Sequence, residues 1–288
     1  MIFAWQPMDQ ESFADIVGLL GPHIVRIGEI HWVKVRTCFY RPMLPMREYR
    51  PEAVHAPWPA QLGGVQYAVP EGVESNSFVN YLIFDKVRDY SLAVLDRDRR
   101  RQVRLATREF ELRSLSDVEA FKREAYPVYL SFYSRTHYQV GSGRRDPSRF
   151  AGWAEALFKI QGALIIGAYR QGTLAGVSTS YLTDGTLFYA SFFCDDESMK
   201  RHLPGLMLHT VLESAAASQN VQQVFVGMFK GQRGLDDFYL QRGARLVRQP
   251  ARLEINPVTR ILLHAFLPKR YAQLLGHLPD DKAGLVSK

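Results

Sequence analysis

The chain has 288 residues, 47% hydrophobic and 23% charged, enough for one large or two small domains with a real core. Its two cysteines, Cys38 and Cys194, lie far apart and exclude a disulfide framework. No signal-length apolar run opens the chain, and no segment reaches about 18 uninterrupted apolar residues, so a soluble protein of a reducing cytoplasm with no transmembrane segment is expected. Lys and Arg exceed Asp and Glu by 36 − 29 = +7, which favours anionic partners such as nucleotides, tRNA or a lipid surface without selecting among them.

Residues 1–75 are rich in Trp, Tyr and Pro. Pro42, Pro45, Pro51, Pro57 and Pro59 preclude a long helix, although 13–20 suits a short one. Trp5, Trp32 and Trp58 are large apolar surfaces, so this irregular segment is expected to wrap on the rest or to form an incomplete sheet. Residues 63–70 and 78–84 read as strands, and Gly63-Gly64 as a turn. A helix is expected from Arg97. Between Arg97 and Arg113 seven arginines face Asp98, Glu109 and Glu111. That surplus suits either a contact surface for phosphates or a solvated helix face.

Ser116-Asp117-Val118-Glu119 reads as a capping box that opens a helix bent or interrupted at Pro127. A second helix starts at Asp146-Pro147, with Phe150, Trp153, Ala154 and Leu157 as its buried stripe. The polar loop 134–145 between them contains His137 and Tyr138. Residues 163–169 and 174–181 are apolar runs, and Asp184-Gly185 signals a type I′ hairpin into the next strand.

That strand, 187–194, is apolar or small on both alternating faces, Leu187, Tyr189, Ser191 and Phe193 against Phe188, Ala190, Phe192 and Cys194. It is expected in mid-sheet and covered on both sides. A polar turn, 195–202, separates it from a helix beginning at Pro204-Gly205. The first turn of that helix offers backbone N–H groups and the positive end of the dipole to an anion. Strand 222–229 follows. Leu235, Phe238 and Tyr239 then share a helix face, and Gly243 supplies a left-handed stop. Residues 252–255 read as a short strand and 261–275 as an amphipathic helix broken at Pro268, expected to dock on the core with a membrane surface as the alternative.

The run strand, helix with an anion-ready start, strand, then Asp236-Asp237-Phe238-Tyr239-Leu240-Gln241-Arg242-Gly243-Ala244 resembles the second half of the GNAT fold of the acyl-CoA N-acyltransferases. The wider chain is similar to the FemAB-like branch, whose members join amino acids or acyl groups to amines. The resemblance spans about residues 116–256. It departs from the family's pyrophosphate loop, since Arg201-His202-Leu203-Pro204-Gly205-Leu206 keeps one basic residue and one glycine but lacks the second small residue.

The resemblance implies an α/β mixed sheet of GNAT type at 116–256, an N-terminal extension or degenerate half-domain at 1–115, and a helical extension at 257–288. It implies an acyl-CoA donor and a small-molecule or peptide amine acceptor, with aminoacyl-tRNA or a catalytically silent scaffold as alternatives. It places Tyr239 as the acid that protonates the leaving sulfur, the alternative being a core tyrosine beside Phe238. Backbone amides at Phe193 and Cys194 are expected to hold the donor's carbonyl or pantetheine arm. Arg201 and the amides of Leu203, Gly205 and Leu206 are expected at its phosphates. The loop with His137 and Tyr138 is expected to border the acceptor. Asp195, Asp196, Glu197 and His202 are candidate bases, although such acids also cap or solvate turns. No metal-ligand spacing, G-x-S-x-G or P-loop occurs, which removes the metal, hydrolase and kinase readings.

Overall fold

The computed structural model describes residues 2–19, 21–136, 142–231 and 234–278. The first part of the chain forms α1 (Gln10–Leu19), β1 (Ile24–Ile27), β2 (Ile30–Arg36), β3 (Phe39–Pro42), β4 (Gly64–Ala68) and β5 (Ser77–Phe84). There follow α2 (Arg97–Glu109), β6 (Glu111–Ser114), α3 (Val118–Thr136), α4 (Pro147–Lys159), β7 (Leu164–Arg170), β8 (Thr173–Thr183) and β9 (Thr186–Cys194). The last part is α5 (Asp196–Lys200), α6 (Leu203–Ala217), β10 (Gln223–Met228), α7 (Leu235–Leu240), β11 (Arg245–Ile255), α8 (Pro257–Phe266) and α9 (Pro268–Leu274).

These elements make two compact units of interleaved segments. The first is Met1–Leu20, Ile83–Gly227 and Gln241–Gly243; the second is Gly21–Leu82, Met228–Leu240 and Ala244–Lys288. Position 115 therefore lies inside the first unit, and 256 inside the second.

In the first unit the strands run in the order β10-β9-β8-β7-β6. The β6 to β9 meander is antiparallel, and β10 joins β9 in parallel. Asp184 and Gly185 both take positive φ, 48° and 71°, as the type I′ turn between β8 and β9 requires. Phe193 meets Tyr129 of α3 edge-on at 5.6 Å, so α3 covers one face, where Phe121, Phe150 and Trp153 of α3 and α4 cluster. On the other face lies α6, with Leu203, Leu206, Leu208, Val211 and Leu212 all buried. Its buried circumference is that of a helix enclosed by protein. The N-terminal arm is tied here too: the Phe3 amide donates to Ser214 Oγ at 3.0 Å, Trp5 Nε1 to Ser180 Oγ at 2.8 Å, and the Met8 amide to the Leu182 carbonyl at 2.8 Å.

In the second unit the order is β1-β2-β3-β4-β11-β5. Trp32, Tyr40, Val65, Tyr67 and Val69 form one core cluster. Phe39, Leu253 and Ile255 form another, covered by Leu263, Tyr271, Leu274 and Leu275 from the α8 and α9 region.

Several expectations are corrected. Of the two outcomes expected for the first 75 residues, wrapping or an incomplete sheet, residues 24–42 take the sheet, as three paired strands, β1 to β3, that no local pattern had located. Asp117, not Ser116, caps α3, its Oδ1 accepting from the amides of Glu119 and Ala120. That helix runs through Pro127, which lies on the exposed side, where water can serve the carbonyl one turn back. The polar run after β9 is a helix, α5, rather than a turn. β11 spans eleven residues, far more than 252–255. The strict alternation expected along 187–194 also fails, for a reason that bears on the site.

Candidate functional site

β8 and β9 pair Ser180 with Tyr189 and Thr179 with Ser191, so Ala190 is an extra residue in β9. Such a bulge shifts the side-chain parity by one. Ser191 and Phe193 therefore join the face of Phe188, whereas Phe192 and Cys194 share the face of Leu187 and Tyr189. The bulge also bends the strand and increases its twist. On the other edge of β9 the parallel pairing to β10 covers Gln223–Thr186, Val224–Leu187 and Phe225–Phe188 and stops there, although β9 continues to Cys194 and β10 to Met228. The two strands diverge just before the bulge.

Where they diverge, covering is lost. Ala190 is exposed and Ser191 and Phe192 are half-buried, against the expectation of a strand covered on both sides throughout. Parted parallel strands leave main-chain donors and acceptors along their facing edges, and an extended molecule carrying amides or carbonyls can complete that ladder. The opening lies toward the carboxyl ends of β9 and β10, where open α/β sheets receive their ligands.

The start of α6 sits at the same end. Leu203 packs on the last residues of β9, since a Cβ on Gly176 would fall 2.7 Å from Leu203 Cδ2 and 3.0 Å from Cys194 Cβ. His202 caps α6 in a left-handed conformation, φ 65°, and offers no side-chain bond. The amides of Gly205 and Leu206 both turn back to the His202 carbonyl, at 3.1 and 3.2 Å. A Cβ at Gly205 would lie 3.5 Å from Nη2 of Arg242, an ordinary contact distance, so a guanidinium of this chain stands at the start of α6. Burial, assisted by Arg99, pulls Arg242 down to about 10, which leaves it a cation at neutral pH. A guanidinium at this place adds to the positive potential of the helix start. Nothing in the sequence pattern placed Arg242 in this corner, because it follows α7 in the chain and meets α6 only through the fold.

The other candidate residues are placed as follows. Arg201 is held by Glu197 at 2.8 Å and Glu109 at 2.9 Å. Asp195 caps α5, its Oδ1 accepting from the Ser198 amide at 2.7 Å. The Cys194 carbonyl accepts from Arg135 at 3.2 Å, and burial pushes the Cys194 thiol up to about 12. A thiol so held is inert. Phe193 is buried against α3. Tyr239 lies in the second unit, buried on α7, with its ring edge-on to Phe238 at 5.3 Å and its carbonyl accepting from the Ala244 amide. His137 and Tyr138 lie outside the described residues. Among the described residues no three His, Cys, Asp or Glu side chains gather as a metal site, and no helix is long and apolar enough to cross a membrane.

The second unit holds a further cation that the sequence pattern did not single out. Arg41 donates to Gln66 Oε1, its guanidinium stands 5.9 Å from the Phe39 ring, and burial lowers it to about 10. No carboxylate pairs with it among the described residues. Gln66 in turn donates to Ser77 Oγ and to the Leu274 carbonyl, each at 2.8 Å.

No family model matches the chain, and no curated protein matches it in sequence. Among solved structures it is similar to the C-terminal domain of a protein assigned as a lysylphosphatidylglycerol synthetase from Agrobacterium fabrum, at 9% identity over 94% of both chains with a TM-score of 0.60. It is similar to FemX at 13% identity over 88% of this chain and 93% of that one, with a TM-score of 0.57. L-PGS from Bacillus licheniformis matches at 13% identity over 94% and 100%, with a TM-score of 0.55. At such identities the likeness is one of backbone. The chain has a mixed α/β, GNAT-like fold with additional N-terminal helix and strands.

Proposed function

We propose that this protein is an acyltransferase that moves an acyl group from acyl-coenzyme A, seated where β9 and β10 diverge, to an amine. The observation that carries the reading is the bulge at Ala190 coupled to the end of β9–β10 pairing, with the cationic start of α6 at the same end of the sheet. An extended pantetheine arm has amides spaced to meet main-chain groups on parted strands, and its phosphates would take the charge of Arg242 and the α6 dipole. In this reading the amine attacks the thioester carbonyl, the C–S bond breaks, the sulfur takes a proton and the amine loses one. Positioning supplies much of the rate.

Tyr239 is the proposed acid, on the resemblance of its segment. Asp195 already serves as a helix cap, so the attacking amine loses its proton to water or to His202. The acceptor, a small molecule or peptide amine, is proposed to meet His137 and Tyr138, on the same resemblance.

A second reading takes aminoacyl-tRNA as the donor. It is favoured by the likeness to FemX over most of both chains and by the arginines of α2, several of them exposed. Isothermal calorimetry with coenzyme A and a gel shift with charged tRNA separate the two: heat with coenzyme A and no shift supports the first, a shift without heat the second. Binding of neither removes both. With the donor identified, Tyr239→Phe is expected to lower turnover by about 10²-fold or more, the low end for a general acid, while donor affinity holds. Unchanged turnover removes Tyr239 as the acid.

A further inference from the structure

The helix pair α8 and α9 carries apolar residues on two opposite sides. Leu263, Tyr271, Leu274 and Leu275 face inward and pack on Phe39, Leu253 and Ile255 of the same unit. The outward side of α8 is apolar as well: Val258, Ile261, Leu262 and Phe266 recur at helical spacing, and Ile261 and Phe266 are 68% and 75% exposed. No residue of α8 is buried. An amphipathic helix ordinarily turns its apolar stripe to a covering surface, whereas this stripe of α8 is exposed.

The patch extends beyond α8. The first turn of α8 is fastened to the segment before β4, Thr259 Oγ1 donating to the Leu62 carbonyl at 2.8 Å and Asn256 Nδ2 to the Gln61 carbonyl at 3.0 Å. Leu62 and, in the same short turn, Trp58 (70% exposed) also present their side chains to solvent. The charge on these two helices has one sign. From Pro257 to Leu278 the chain holds Arg260, Lys269 and Arg270 and no acidic residue, and all three cations are exposed. An apolar helix face, an exposed tryptophan and cations on the same two helices are together the attributes of a helix that lies in the interface of an anionic bilayer.

We propose that α8 and α9, with Trp58 and Leu62, dock the second unit on a membrane surface that carries anionic lipids. The apolar side chains enter the boundary between headgroups and acyl chains, and Arg260, Lys269 and Arg270 meet the lipid phosphates. The inference is independent of the donor and of the transferase reading, since none of these residues belongs to the proposed reaction.

The test is flotation of the purified full chain with vesicles of phosphatidylcholine alone and of phosphatidylcholine with phosphatidylglycerol. The chain is expected to float with the anionic vesicles and to stay behind with the neutral ones. The double variant Ile261→Glu, Phe266→Glu is expected to lose binding while keeping the wild-type melting temperature, because both positions are exposed. Arg260→Gln with Lys269→Gln is expected to weaken it by roughly 25-fold, the product of about fivefold for each cation removed from near the surface. Failure to float with anionic vesicles overturns the proposal, as does equal flotation of the Ile261, Phe266 variant. A concentration-dependent dimer in sedimentation that this variant turns into a monomer also overturns it, by showing that a second copy covers the face.

Discussion

Arg242 concentrates the chemistry of the α6 corner in one side chain. It stands at Gly205, is partly desolvated, and shares its surroundings with Arg99, which donates to Gln241 and pairs with Asp96. If it completes a phosphate seat, Arg242→Gln shortens the side chain and removes the charge. Donor affinity measured by calorimetry is then expected to fall about tenfold or more, about 1.4 kcal/mol. A second residue-level consequence follows from His209 of α6. Its Nδ1 lies 3.2 Å from the Tyr90 hydroxyl, and burial holds its pKa below the ordinary histidine value, the Glu213 carboxylate opposing to a lesser degree. The unfolded chain therefore binds this proton more readily than the folded one. The stability that the neutral ring contributes is complete above about pH 6.5 and is lost as pH falls through the lower folded value. Melting temperature is expected to decline as pH drops below about 6.5, and His209→Gln is expected to flatten that region of the profile.

Among the elements, β9 decides whether a ligand can enter the sheet. An exposed residue at the bulge can be enlarged without disturbing the core, so Ala190→Trp is expected to preserve the melting temperature and to weaken donor binding about tenfold or more. Equal affinity in the variant places the donor elsewhere. Much of this element pattern was readable in the sequence where local chemistry decides it: Asp146-Pro147 starts α4, Asp184-Gly185 makes the hairpin, Pro268 divides α8 from α9, and α6 begins one residue before Pro204. The bulge was not readable. Its trace is the pair of small residues Ala190 and Ser191 between aromatic neighbours, but which residue is extra depends on pairing with β8, which lies outside any local window. The strands β1 to β3 were obscured for a related reason. β1 and β3 have four residues each, and all three gain their stability from partners across the sheet.

At the scale of the whole molecule, the surplus of seven positive charges bears on the choice of donor. A polynucleotide releases many condensed counterions on binding and a single coenzyme few. Affinity for charged tRNA should therefore fall steeply with salt, about 10³-fold or more between 50 and 200 mM if six or more phosphates are engaged, whereas coenzyme A affinity should change far less. Shallow salt dependence in a gel shift argues against the tRNA reading.

The path of the N-terminal arm has a kinetic consequence. Phe3 and Ser214 are hydrogen-bonded across 211 residues of chain, and Trp5 reaches Ser180 across 175. During synthesis the arm leaves the ribosome well ahead of α6 and finds its seat only after that helix has been made, on the order of 10–40 s later at about 5–20 residues per second. Over that interval Phe3, Trp5 and Phe13 are nascent apolar side chains without a home, and a chaperone holding the arm and α1 would speed maturation more than one acting on the finished polypeptide.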